Sequence, residues 1–377
     1  MFGLLKKKST LLGLGAAFGS GTVFYNTSTN STLSNNTGNF VPSKNKSDNI
    51  DYIIKKIDPI EEFHAPKNPV VLCHGLSGFS RLILLPSVYQ ITKFFRNFIS
   101  ITKDDQQLMH NIYDDDDDPN YKAFLEIDYW IGVKAMLEAQ NVTVFTAKVP
   151  PFGSIDERAY ALNDFIRAKI FYMKRSETVP EIKDNESKVK VNLIAHSMGG
   201  LDARYLISAI PPEEKQNYEV LSLTTISTPH HGSVMADYVC NLFDDLKSRM
   251  GVENPNVKLP VAFYQLTTDY VDLIFNKQIK DDPKVKYFSY GAYYNPNWSR
   301  MFYFSWKTIM TLSNEPNDGL VTIASSKHGK FRGVLPNLDH LSIINWNVSL
   351  TGKKDPNAID ILQFYMKVVD DLGRCGC

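Results

Sequence analysis

Residues 189–206, VKVNLIAHSMGGLDARYL, constrain what this 377-residue chain can fold into more than any other stretch. The apolar run Val189–Ala195 predicts a buried strand, and Met198–Ile210 has the apolar spacing of a helix. Between them lies Ala195-His196-Ser197-Met198-Gly199. A strand that turns directly into a helix strains the residue at the turn and requires small residues two places before and after it. Ala195 and Gly199 meet that demand. The turn lifts the Ser197 hydroxyl above the sheet, at a helix N-terminus whose positive end favours developing negative charge. Ser197 is therefore the candidate nucleophile.

Other strand-like runs are Pro69–Cys73, Val142–Val149, Val220–Ser227 and Tyr287–Tyr293, with helical spacing over Tyr129–Ala139 and Glu157–Met173. Short, continuous apolar strands alternating with helices predict an α/β fold with a mostly parallel central sheet covered by helices on both faces. No repeat of fixed period is visible.

A serine needs a base, and the base needs an acid to orient it. In a strand–elbow–helix fold of this kind the chain order is serine, acid, histidine. Of the eight histidines, His64 and His110 lie before the core or in an insertion, and His74 opens a His-Gly step. His196 belongs to the elbow and is expected to point away from its apex. His230 and His231 read as a turn, and His328 as part of a lysine-flanked loop. His340, in NLDHLSIINW with an apolar run to anchor it, remains as the base. Asp318, in the turn-forming Asn-Asp-Gly of SNEPNDGLV, is the acid, with Glu315 as the alternative.

Acyl transfer places negative charge on a carbonyl oxygen, which two backbone N–H groups must hold. One comes from the residue after the nucleophile, Met198. The other comes from the loop after an early strand, Leu76 in PVVLCHGLSGF.

Composition narrows the classes. With 43% hydrophobic and 12% aromatic residues, the chain can bury a core. Its 41 basic and 41 acidic residues leave no net charge, which argues against a nucleic-acid binder. Four cysteines are too few for a disulfide scaffold. The balance is uneven along the chain: residues 1–47 hold five lysines and no acid. Residues 1–25 read as a targeting segment or a single membrane anchor, and 26–49, rich in Asn, Ser and Thr, as a disordered linker. The address is mitochondrial, with the secretory route as the alternative; eight N-x-S/T sequons are present. One catalytic domain follows over 50–377, with an insertion at 81–126 whose run Asp114–Asp118 reads as a solvated loop.

VVLCHGLSGF, IDYWIGVKAMLEAQNVTVFTAKV, VNLIAHSMGGLDARYL, TTISTPHHGSVMAD, NDGLV and DHLSIIN occur in this order and span most of residues 65–350. In these segments the chain resembles the α/β-hydrolase lipases, most of all the bacterial true lipases of the Pseudomonas and Burkholderia type. With its basic head it is also similar to mitochondrial triacylglycerol lipases of yeasts. The resemblance implies the same triad, Ser197, Asp318 and His340, and a helical cap or lid over roughly 234–285. Those bacterial lipases carry a calcium-site aspartate two residues after the catalytic histidine, where this chain has Ser342. They often carry a cap-to-core disulfide, for which Cys240 has no evident partner. No metal or organic cofactor is therefore expected. The expected activity is hydrolysis of carboxylic esters, foremost triacylglycerols, at a lipid interface or membrane surface. Phospholipase, short-chain esterase and acyltransferase are the enzymatic rivals, and a catalytically silent scaffold is the rival of another class.

Overall fold

Six parallel strands carry the molecule: Val70–Cys73 (β1), Val144–Thr146 (β4), Val189–His196 (β5), Tyr218–Ile226 (β6), Lys286–Tyr293 (β7) and Lys330–Pro336 (β8). Their order across the sheet is β4-β1-β5-β6-β7-β8. A separate antiparallel pair joins Arg81–Leu85 (β2) to Leu125–Asp128 (β3). The computed structural model describes residues 52–76, 81–85, 125–175, 188–251, 258–298, 300–346 and 359–377. The head, the linker, Asp114–Asp118 and six of the eight sequons lie outside the described residues. The other two, Asn141 and Asn297, are exposed.

Alternate side chains of a strand face opposite sides of a sheet, and the two cores follow that rule. Val70 and Leu72 of β1 join one cluster, Val71 and Cys73 the other. The first cluster is covered by Val133–Glu138 (α1) and Ile361–Arg374 (α6), and the second by Ile155–Arg175 (α2) and Gly199–Ser208 (α3). Strands buried on both faces explain the near-continuous apolar runs.

Several elements differ from expectation. The helix expected over Tyr129–Ala139 begins only at Val133, because Gly132 at its N-cap has the left-handed φ of 73°. Tyr129 and Trp130 instead form a buried bend. The strand expected over Val142–Val149 is confined to Val144–Thr146. β8 and α6 were not expected at all. In α6, Ile361, Phe364, Tyr365, Val368, Val369 and Leu372 form one buried face, and the Asp360 side chain caps the N-terminus through the Leu362 and Gln363 N–H groups.

The described residues between β6 and β7 are mostly helical. Ser233 caps Val234–Arg249 (α4), followed by the short helices Val261–Gln265, Thr268–Tyr270, Val271–Phe275 and Asn276–Gln278. Asp237 accepts from the Thr268 N–H and hydroxyl at 2.9 Å each, tying α4 to the later helices. Between β7 and the Asp318 turn, Tyr303–Ser313 (α5) packs beside α4.

Candidate active site

Leu76, Ser197, Met198 and His340 lie just past the carboxyl ends of β1, β5 and β8, where ligand sites of such sheets form, and Asp318 lies in the turn between α5 and β8. β1 and β5 are neighbours, with Cys73 paired to Ala195. Three residues beyond each member of that pair stand Leu76 and Met198. Neither of their backbone N–H groups meets an acceptor among the described residues. The approach is close: a Cβ on Gly75 would fall 2.6 Å from Ser197 Cβ, so only glycine fits there.

Ser197 has the left-handed φ of 57° that the turn demands. Its N–H donates to Ile226 O, and its own carbonyl accepts from the Thr228 hydroxyl at 2.8 Å. These bonds hold the strained residue on both sides and leave its hydroxyl unpaired among the described residues.

His340 and Asp318 are joined twice. His340 Nδ1 lies 2.7 Å from Asp318 Oδ2, and the His340 N–H donates to the Asp318 carbonyl at 2.9 Å. The other carboxylate oxygen accepts from the Leu320 and Val321 N–H groups at 3.0 and 2.8 Å. Asp318 is fully buried and acceptor-only when ionised, so its Oδ2 fixes the proton of His340 on Nδ1 and leaves Nε2 basic. Asp339, next to the base, is occupied elsewhere: its Oδ1 accepts from the Leu341 and Ser342 N–H groups and the Ser342 hydroxyl. Ser342, at the position of the bacterial calcium ligand, is thus used inside its own loop. Glu315 makes no side-chain contact with His340.

Two residues not read from the sequence hold the loops together. Arg158 on α2 is buried and pairs with Asp202 on α3 at 2.8 Å. Its remaining N–H groups donate to Pro150 O at 2.7 Å, His74 O at 3.0 Å and Gly75 O at 3.2 Å. One guanidinium therefore binds the Leu76 loop to the helix that starts at the nucleophile. His74 Nδ1 donates to Gly75 O and its Nε2 accepts from the Val149 N–H. Burial, and then the Arg158 charge, push its pKa down to about 3, so it stays neutral.

His196, set aside as part of the elbow, has buried partners of its own. Its ring lies against that of His340, centroids 4.5 Å apart, and its Nδ1 is 2.7 Å from the Tyr129 hydroxyl. The parallel sheet brings the loops after β5 and β8 to one edge, a juxtaposition with no local signature.

An apolar cluster roofs the loops. Met198, Leu201 and Ile155 pack with Ala236, Ala262, Leu266, Val271 and Phe275 of the overlying helices, and Leu76 joins them. Gln265 Oε1 accepts from the Ile155 N–H at 2.6 Å. On the opposite side, Phe302 meets His340 edge-on.

Residues 174–328 match the serine esterase family DUF676. Triacylglycerol lipase 2 of Saccharomyces cerevisiae is 45% identical over 349 residues, covering 88% of this chain and 99% of that protein. The lipase of Staphylococcus hyicus has a similar fold (TM-score 0.52, 18% identity, 84% of this chain and 98% of that one). Lipase 1 of Pelosinus fermentans is also similar in fold (TM-score 0.50, 20% identity, 82% and 99%). Identity of 45% with the yeast enzyme over most of both chains, on a sheet with a serine elbow, shows that the chain belongs to the α/β-hydrolase lipases, a family of serine hydrolases.

Proposed function

We propose that this enzyme hydrolyses triacylglycerols with Ser197 as nucleophile, His340 as base and Asp318 as its orienting acid. The buried 2.7 Å contact of His340 Nδ1 with Asp318 Oδ2, beside a serine on a strained elbow, carries the reading. His340 Nε2 takes the proton of the Ser197 hydroxyl as its oxygen attacks the ester carbonyl. The carbonyl oxygen becomes an oxyanion, held by the free N–H groups of Leu76 and Met198. Collapse expels the alcohol, which His340 protonates. Water, deprotonated by His340, then attacks the acyl-enzyme, and His340 returns that proton to the Ser197 oxygen as the fatty acid leaves. Every step uses groups of the chain itself.

The substrate is read from the similarity to Triacylglycerol lipase 2 and from the surface around the site. Tyr238, Leu242, Leu246 and Met250 recur every fourth residue on α4 and are exposed, as are Met301, Phe304 and Leu312 on and before α5. Exposed apolar side chains on two adjoining helices suit a lipid–water interface. We assign 234–285 as a lid whose underside rests on Leu76 and Met198. The basic, acid-free head supports mitochondrial import.

The test is hydrolysis of emulsified long-chain triacylglycerol and of a soluble short-chain ester by wild type and Ser197→Ala. Wild type is expected to hydrolyse both and the variant neither. Wild-type activity on the short ester alone would overturn the lipid substrate, and an active Ser197→Ala would overturn the mechanism. An N-glycosylated cellular product would overturn the mitochondrial address.

A further inference from the structure

Tyr129 and His196 carry a hydrogen-bond chain that the reaction as described does not use. The Gly75 N–H donates to the Tyr129 hydroxyl oxygen at 3.1 Å, and that hydroxyl lies 2.7 Å from His196 Nδ1. An oxygen that accepts from a backbone N–H directs its own proton elsewhere, so Tyr129 donates to Nδ1. His196 therefore keeps its proton on Nε2. That N–H is fully buried, faces the main chain of His340 and meets no acceptor at hydrogen-bonding geometry. Trp130 closes the cluster, edge-on to both Tyr129 and His196.

A side chain present only to fill this space would be apolar. An imidazole with one buried, unpaired donor costs stability that a phenyl ring would not. A feature of that cost beside a reacting group is explained by what it positions. The chain begins at Gly75, which precedes the Leu76 donor, and ends on a ring that meets the His340 ring at a tilt of 42°, centroids 4.5 Å apart. It thus joins loops from β1, β5 and β8, together with the bend at Tyr129.

We infer that His196 and Tyr129 are positioning residues that set the Leu76 N–H and the His340 imidazole in a single fixed geometry. Their contribution is expected in kcat, because the groups they set meet the developing oxyanion and the moving proton. The inference rests on the triad and oxyanion assignment above. Ser197→Ala is therefore run alongside, since an active Ser197→Ala sinks the assignment and an inactive one leaves the inference open to its own test.

The experiment is steady-state kinetics of the full chain on a soluble ester, with melting temperatures measured in parallel. His196→Phe keeps the ring and loses the acceptor for Tyr129. Tyr129→Phe keeps the ring and loses the whole chain. Each is expected to lower kcat by about tenfold to a hundredfold with KM within about twofold, the pattern of a lost transition-state interaction. Because both break one unit, the double variant is expected to be no slower than the slower single variant. His196→Asn places an amide oxygen where Nδ1 accepts, and should recover about tenfold over His196→Phe. Wild-type kcat in His196→Phe would overturn the inference. So would losses that multiply in the double variant, or His196→Asn no faster than His196→Phe at equal melting temperature. Should His196→Phe fail to fold, Tyr129→Phe decides it, because it keeps the ring and removes only the hydroxyl: wild-type kcat there would overturn the inference.

Discussion

Asp318 is placed before it meets the base. Two backbone N–H groups hold one carboxylate oxygen, and its main chain takes the His340 N–H, so the second oxygen has a single direction left. Asp318→Asn is expected to keep this framework while presenting the wrong hydrogen-bonding partner to Nδ1. The expected fall in kcat is about 10⁴-fold. Glu315→Gln should behave as wild type in the same assay, which separates the two carboxylates. Arg158 invites a different measurement. Arg158→Gln leaves Asp202 buried without its partner and frees three carbonyls, at a cost of about 3–5 kcal/mol in denaturant unfolding. The Ser197 elbow and the pairing of Asp318 with His340 were legible because a strand–helix turn, an Asn-Asp-Gly turn and a chain order can be read locally. His196 was not, because its ring meets His340 only once β5 and β8 have entered the same sheet.

At the scale of elements, periodicity carried much of what was read and some of what was passed over. β1, β5, β6 and β7 announced themselves as apolar runs because both of their faces are covered. β8 did not: Lys330, Phe331 and Arg332 are not fully buried, and only its later half enters the core. The buried face of α6 is written in its sequence at helical spacing. Phe364→Ala there should cost about 3–5 kcal/mol, read as a lower melting temperature with kcat on a soluble ester unchanged. Of the apolar residues in 234–285, Leu266, Val271 and Phe275 pack inward, whereas Leu242, Leu246, Leu273 and Ile274 face outward. Composition alone could not divide them. Leu246→Asp with Met250→Glu is expected to reduce hydrolysis of emulsified triacylglycerol severalfold and to spare the soluble ester. Equal loss on both substrates would count against an interfacial role for α4.

Over the whole molecule, stability is tied to pH by histidines that fold without their protons. Burial drives His74 to about 3 and holds His196 and His230 well below the usual range. Unfolded, each titrates near 6.5, so the unfolded chain binds more protons below that value. Stability then falls as pH drops, by up to about 1.4 kcal/mol per pH unit for each histidine. Asp202, raised to about 6 by burial, and Asp339, also raised by burial, act in the opposite sense below pH 6. Three histidines outweigh two carboxyls, so the melting temperature should decline from pH 7 to pH 5. A flat profile in calorimetry would contradict neutral burial. The Tyr129 hydroxyl has one more consequence. Its bond to the Gly75 N–H closes the excursion that leaves the core at Leu76, and β2 pairs with β3 just inside that closure. That single hydroxyl is thus a clasp: the chain that departs after β1 is fastened back to its own point of exit before α1 begins.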